Sequence, residues 1–181
     1  VLAPSFIGTV IFFHQVHVSE VRGWDLVTMA AGYPVYAAMS VVVSLATGAV
    51  IDRIGPVRLL PLFLLPMAVA IGSLALEGSE LVWLATLLGI GVSQGVVVTL
   101  LGALWPTLYG TAHIGAVKAL TTSVMVVSTA IGPGLTGLAI DAGVTLPEQG
   151  PAMAGACLAI SALFAVVAPR LAIRLPGREA A

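Results

Sequence analysis

The chain has 181 residues, of which 59% are hydrophobic and 8% charged, where a soluble domain carries roughly 45–50% and roughly 25%. Seven Lys plus Arg and eight Asp plus Glu are too few to clothe a water-facing exterior, so lipid must face much of this chain. The formal net charge of −1 gives no basic field for nucleic acid, and the single Cys157, set in an apolar run, excludes an intrachain disulfide or a Cys-based metal cluster.

A hydrocarbon core about 30 Å thick needs about 20 apolar residues as helix, and only helices or a closed barrel satisfy the backbone inside it. The apolar runs here are far too long for barrel strands. In chain order they predict six spans: Leu2 to Val18, Asp25 to Ile51, Val57 to Leu76, Leu81 to Tyr109, Ile114 to Ile140 and Pro151 to Arg170. Short connections separate them, and a polar tail runs from Leu171 to Ala181. The fold class is therefore an all-α membrane protein, a six-transmembrane-helix bundle with no soluble domain. The sequence opens at Val1 within an apolar stretch and lacks a signal-peptide pattern, so it reads as a partial chain.

Adjacent spans alternate in direction, which sorts the loops into two sets. One set with the tail holds Arg53, Arg58, Lys118, Arg170, Arg174 and Arg178, whereas the other holds only Arg22. The positive-inside bias makes the first set cytoplasmic, so the first span runs outward and both ends of the chain are cytoplasmic.

Between the second and third spans lies Gly48-Ala-Val-Ile-Asp52-Arg53-Ile-Gly55-Pro-Val-Arg58. Gly48 suits close helix approach, Asp52 ends a helix beside Arg53, Gly55 suits a tight turn, and Arg58 reaches the interface along its apolar stem. This stretch resembles the signature loop of the major facilitator superfamily, Gly-x-x-x-Asp-Arg-x-Gly, with Gly48, Asp52, Arg53 and Gly55 matching by position. The departure is Pro56-Val57 ahead of Arg58, where the family places a basic residue sooner. The segment from Trp105-Pro106 through Tyr109-Gly110 and His113 to Lys118 is similar to the loop before the eleventh helix of some bacterial members. Gly132-Pro133-Gly134-Leu-Thr-Gly137, followed by Asp141, is similar to their penultimate helix. The resemblance implies helices 7–12, the C-terminal half of such a transporter, in a bacterial inner membrane. Its implied partners are a missing N-terminal six-helix half, a small-molecule solute and a coupling proton or ion, with no cofactor.

Within the spans, Tyr36, Ser40, Ser44, Gly48 and Asp52 recur every four residues, as do Gly91 and Gly95 with Gly102 further on. Such rows invite close helix packing first and a solute path second. Pro34, Pro66 and Pro133 fall inside spans, where a missing donor kinks a helix. Intramembrane polar groups are functional candidates because desolvating them is costly. They are His14 and Gln15 in the first span, Gln94 mid-way along the fourth and Ser128 mid-way along the fifth.

In the superfamily arrangement the first, second, fourth and fifth helices of this half border the central cavity, which brings His14, Gln15, Tyr36, Gln94 and Ser128 toward the solute path. His14, Gln94 and Ser128 have structural alternatives: an interface histidine bonded to a neighbouring helix or headgroup, an interhelical hydrogen bond, and bonding within its own helix, respectively. No Lys, Arg, Asp or Glu sits at mid-membrane depth, so a proton carrier in this half is reduced to His14, or else belongs to the other half. Metal-helix, paired-aspartate and nucleophile-turn patterns of enzymes are not found, and His14 with His17 lacks a carboxylate partner for a metal. The competing class is a six-helix scaffold or channel subunit whose small-residue faces serve self-association.

Overall fold

The computed structural model describes residues 2–173, and its regular structure is entirely helical. The expected cations Arg174 and Arg178 lie outside the described residues. Helix α1 (Leu2–Phe13) leads into α2 (Gln15–Arg22). They meet at His14, whose N–H makes the last bond of α1, to Val10 O at 3.0 Å, and whose carbonyl accepts the first of α2, from Val18 N at 3.1 Å. Helical structure thus reaches Arg22, past the expected end at Val18, as a rod broken at His14.

After Gly23, a short α3 (Leu26–Ala30) is capped by Asp25, whose Oδ2 accepts from Thr28 N at 2.8 Å. A bend at Ala31 and Gly32 follows, then α4 (Tyr33–Ile54). Pro34 was expected within the second span as a kink. It lies within the Leu26–Ile54 span just after that bend, in the first turn of α4, where a helix needs no donor. Asp52 does not end α4, which continues through Arg53 to Ile54; Gly55 closes it with φ of 79°, a conformation that a side chain would strain.

The third segment departs most from expectation. A 3-10 turn (Val57–Leu59) and further turns precede α5, which covers only Leu65–Ser73. Pro61 and Pro66 carry no N–H, and the chain responds with three-residue-spaced bonds, Leu62 N to Leu59 O (3.0 Å) and Leu65 N to Leu62 O (3.1 Å). Irregular backbone of this kind is tolerated at membrane depth only under cover of protein. That cover exists: Leu60, Phe63, Leu64, Met67, Ile71 and Leu74 are all buried.

Three long helices complete the chain: α6 (Leu81–Tyr109), α7 (Ile114–Asp141) and α8 (Leu146–Ile173). The last starts five residues before the expected Pro151. Pro147 fits its first turn, and Glu148 Oε2 reaches back to accept from both the N–H and the hydroxyl of Thr145 at 2.7 Å, a Thr-x-x-Glu start signal. Pro133 does lie inside a helix, α7, as do Pro106 in α6 and Pro151 and Pro169 in α8. Four helices are long and apolar enough to cross a membrane: Leu26–Ile54, Leu81–Tyr109, Ile114–Asp141 and Leu146–Leu171. The first rod is split at His14 and α5 is short, so neither has the length of an unbroken span.

Packing fixes the relative directions. Tyr36 lies against Gly91, and Ser40 and Ser44 against Gly95, so α4 and α6 run parallel. Leu2 meets Ser128, and His14 meets Pro133, so α1 and α7 also run parallel. Segment α5 runs opposite to both neighbours: Ser73 meets Thr86 of α6, and Phe63 meets Phe164 of α8 with ring centroids 5.8 Å apart. Directions therefore alternate along the chain. One end of the bundle carries Arg53, Arg58, Lys118 and Arg170, and the other carries Glu20, Asp25, Glu77, Glu80, Asp141, Glu148 and Arg22. We call these the basic and acidic ends.

Small residues set the close contacts, as the four-residue spacing foretold for α6. A Cβ on Gly91 would lie 2.8 Å from Tyr36 O, and one on Gly95 would lie 2.5 Å from Ser40 O. Gly48 and Gly102 do not share this role. A Cβ on Gly48 meets only Thr99 Cγ2 at 3.9 Å, and one on Gly102 meets nothing within 4 Å. At the acidic end Arg22 Nη2 donates to Leu74 O at 2.6 Å, and its guanidinium sits 5.8 Å from the Trp24 ring centre. Trp24 Nε1 in turn donates to Gly78 O at 3.3 Å. These bonds tie α2 to the end of α5 and to the α5–α6 connection.

Candidate functional site

Segments α1, α4, α6 and α7 converge on a cleft of about 550 Å³. Parallel pairing creates it: α1 is fastened to α7 and α4 to α6, and the two pairs touch each other more sparsely. The cleft is lined by Ser5, Gly8, Thr9 and Phe12 of α1, Tyr36 of α4, Gln94, Val97 and Val98 of α6, and Met125 and Thr129 of α7. Gln94 and Thr129 lie mid-way along 29- and 28-residue helices. They sit where the bilayer is driest, if the helices cross it.

Two of the five expected pathway residues meet in this cleft, Tyr36 and Gln94. The Tyr36 ring packs edge-on against Phe12, with centroids 5.3 Å apart. Among the described residues, neither its hydroxyl nor the Gln94 amide has a hydrogen-bond partner. The interhelical bond that was the alternative for Gln94 is thus not formed. Gln94 also borders a smaller recess of about 240 Å³ with Ser40, Ser44 and Gly95.

His14 lines an adjoining depression that shares Thr9 and Thr129 with the cleft and extends past Pro133 and Gly137 to Asp141. Its Nε2 lies 3.0 Å from Pro133 O, and because a carbonyl only accepts, Nε2–H is the donor. Here the alternative reading is the one realised: His14 is bonded to a neighbouring helix while still lining a cavity. Gln15 is engaged by Tyr33, whose hydroxyl donates to Gln15 Oε1. Ser128 stands apart, on the opposite side of the α1–α7 contact. It is 5% exposed and its Oγ donates to Leu2 O at 2.9 Å, not to its own helix. It lines a different, apolar recess with Phe6, Ile7 and Ile160.

Sequence reasoning missed Thr9, Met125 and Thr129. A helical wheel centred on Ser128 could have found the last two: Met125 and Thr129 are four apart and share a face, which Ser128 adjoins but does not join. Both threonine hydroxyls are committed locally, Thr9 Oγ1 donating to Ser5 O at 2.9 Å and Thr129 Oγ1 to Val126 O at 2.8 Å. They present lone pairs to the cleft.

The Gly48–Arg58 stretch sits at the basic end. Asp52, Arg53 and Arg58 are exposed there, while Val57 is buried. Arg53 in the last turn of α4 complements the partial negative charge of that helix end, and Asp52 opposes it.

The family model described as Major Facilitator Superfamily matches residues 1–133. The chain belongs to the Major Facilitator Superfamily. The matched range takes in α1 to α6, the Gly48–Arg58 stretch and α7 as far as Pro133, hence all four walls of the cleft. No curated protein and no solved structure matches the chain. Members of this superfamily are transporters, so the protein is an integral membrane protein that moves a solute, and its long apolar helices accord with that.

Proposed function

We propose that the protein is a secondary active transporter working by alternating access, and that the α1–α4–α6–α7 cleft is its half of the solute path. The observation carrying this reading is the pair of unpartnered polar groups, Tyr36 Oη and the Gln94 amide, facing a cavity between four helices, with Gln94 at mid-helix depth. Polar groups left half-buried and unpartnered at membrane depth mark pathways. The described chain forms one six-segment half, with α1–α2 and α5 as its broken spans. A second six-helix half faces the cleft across the uncovered surfaces of α4 and α7, and the two rock about the solute.

The basic end is cytoplasmic in this reading, by the Lys and Arg bias, in a bacterial inner membrane. The exposed Asp52 and Arg53 make contacts at that end in one access state and lose them in the other. A coupling proton or ion would bind at His14, beside the cleft, or in the second half.

Accessibility tests the mechanism without knowledge of the solute. Val98 is exposed and lines the cleft. In the full-length transporter freed of other cysteines, Val98→Cys is expected to react with a membrane-impermeant maleimide from either face in oppositely oriented vesicles. Reaction from one face only, whatever the conditions, would exclude alternating access and leave a scaffold.

A further inference from the structure

We infer that Tyr33 and Gln15 form a side-chain latch across the acidic end of the cleft, shut in this structure, whose release opens the cleft to that face of the membrane. This rests on the cleft being the solute path and on alternating access, and adds a device within this half that governs one of the two entrances.

The latch sits just beyond the cleft on its acidic side. Phe12 and Tyr36 line the cleft, and each has a latch residue three positions nearer the acidic end. Tyr33 precedes Tyr36 on the same face of α4, and Gln15 follows Phe12 past the break at His14. Neither Gln15 nor Tyr33 lines the cleft itself, so the bond that the Tyr33 hydroxyl donates to Gln15 Oε1 spans the gap between the two segments outside the cavity. Phe12 fills the space beneath that bond, its ring centre 5.7 Å from that of Tyr33 and 5.3 Å from that of Tyr36.

Side chains make this closure. The backbone of α1 is packed on α7, where a Cβ on Gly132 would lie 3.2 Å from Phe6 O, and that of α4 is packed on α6 through Gly91 and Gly95. The rod of α1 and α2 has no comparable backbone packing with α4, so parting the latch opens no helix-to-helix seam. Tyr33 and Gln15 are both half-buried, and water can take the place of either in the bond. An exchange of that kind shifts a two-state balance by only about two- to tenfold, which suits a contact made and broken in every cycle. Each residue is also the first of its helix, Gln15 after the break at His14 and Tyr33 after the bend at Ala31 and Gly32, and element-terminal positions are where hinge motions are absorbed. Past the latch, Arg22 holds α2 to Leu74 O and Trp24 bonds Gly78 O, which keeps the far end of α2 in place when the latch opens.

Removing the bond while keeping the ring tests this. The full-length transporter carries Val98→Cys in the cleft as reporter, with Cys157→Ser and any other cysteine replaced. Its labelling by a membrane-impermeant maleimide is timed from each face in oppositely oriented vesicles. Tyr33→Phe, which retains the aromatic contact with Phe12, is expected to raise the labelling rate from the acidic face by about two- to tenfold and to leave the rate from the basic face unchanged or lower. Gln15→Leu should act in the same direction, and the double variant should do no more than the larger single effect, since both substitutions remove one bond. Unchanged or slower acidic-face labelling in Tyr33→Phe, equal acceleration at both faces, or additive effects of the two substitutions would overturn the inference and leave the pair a structural brace. A Val98→Cys thiol reactive from one face only, in every variant, would instead overturn the alternating-access reading beneath it.

Discussion

Gly95 and Gly102 both belong to α6, but their surroundings give them opposite roles. A Cβ on Gly95 would sit 2.5 Å from Ser40 O and 2.9 Å from Ser44 N, both backbone atoms of α4 that can move only with the helix. Gly95→Ala is therefore expected to cost about 1–3 kcal/mol, the range for overpacking a close contact. Gly102→Ala, in open space, should be neutral or gain up to about 1 kcal/mol from lower chain entropy. The midpoint for loss of a monodisperse peak on heating in detergent distinguishes them: a clear drop for Gly95→Ala, none for Gly102→Ala. Arg22 is a second residue whose role follows from its contacts. Arg22→Leu removes the bond to Leu74 O and the contact with Trp24, and should cost about 1.5–3 kcal/mol, the range for hydrogen bonds to charged groups. Arg22→Lys, which keeps the charge, should recover part of that in the same assay.

At the scale of elements, two helix starts depend on carboxylates. The backbone N–H of Thr28, then its hydroxyl, hold the Asp25 carboxyl below its ordinary value of 3.8, while Glu148 accepts from the hydroxyl and N–H of Thr145. A depressed folded-state pKa means stability that is present above the ordinary value and lost as pH falls through the folded one. The Asp25 cap should thus be intact at neutral pH and loosen only below about pH 4. Hydrogen exchange at the Thr28 amide, compared between pH 7 and pH 3 after correction for intrinsic rates, should show protection falling selectively at this site. Asp25→Ala should lose the Thr28 protection already at neutral pH. The Thr-x-x-Glu pattern at Thr145 to Glu148 was readable in the sequence. Pro147 in the first helical turn is compatible with that start, since a helix needs no donor there.

For the molecule as a whole, the basic end carries Asp52 and Arg53 exposed, with α4 continuing straight through them. In the transport cycle proposed above, these charges bias the balance of access states. Asp52→Asn in the full-length protein, at unchanged membrane abundance, should alter the ratio of inward to outward labelling at Val98→Cys by at least about threefold, a bias under 1 kcal/mol and modest for a two-state element. An unaltered ratio would remove Asp52 from the mechanism while leaving the cleft reading in place.

Hydrophobic content and the spacing of charges were enough to establish a helical membrane protein, the alternation of its segments and the separation of basic from acidic ends. These follow from the cost of placing charge and unpaired backbone in lipid, which acts on every residue by type. The Gly48–Arg58 stretch made the superfamily legible, and the Gly91–Gly95 spacing announced a close helix contact. Which polar residues share a cavity was decided by tertiary structure alone. Ser128 and Thr129 are neighbours in sequence, but a step along a helix turns the side chain by about 100°, sending Ser128 to Leu2 and Thr129 to the cleft. His14 needed the partner carbonyl at Pro133, 119 residues away, and the broken helix at Pro61 and Pro66 needed the cover of α6 and α8. Sequence period fixes which residues share a face; only packing of distant segments decides what that face meets.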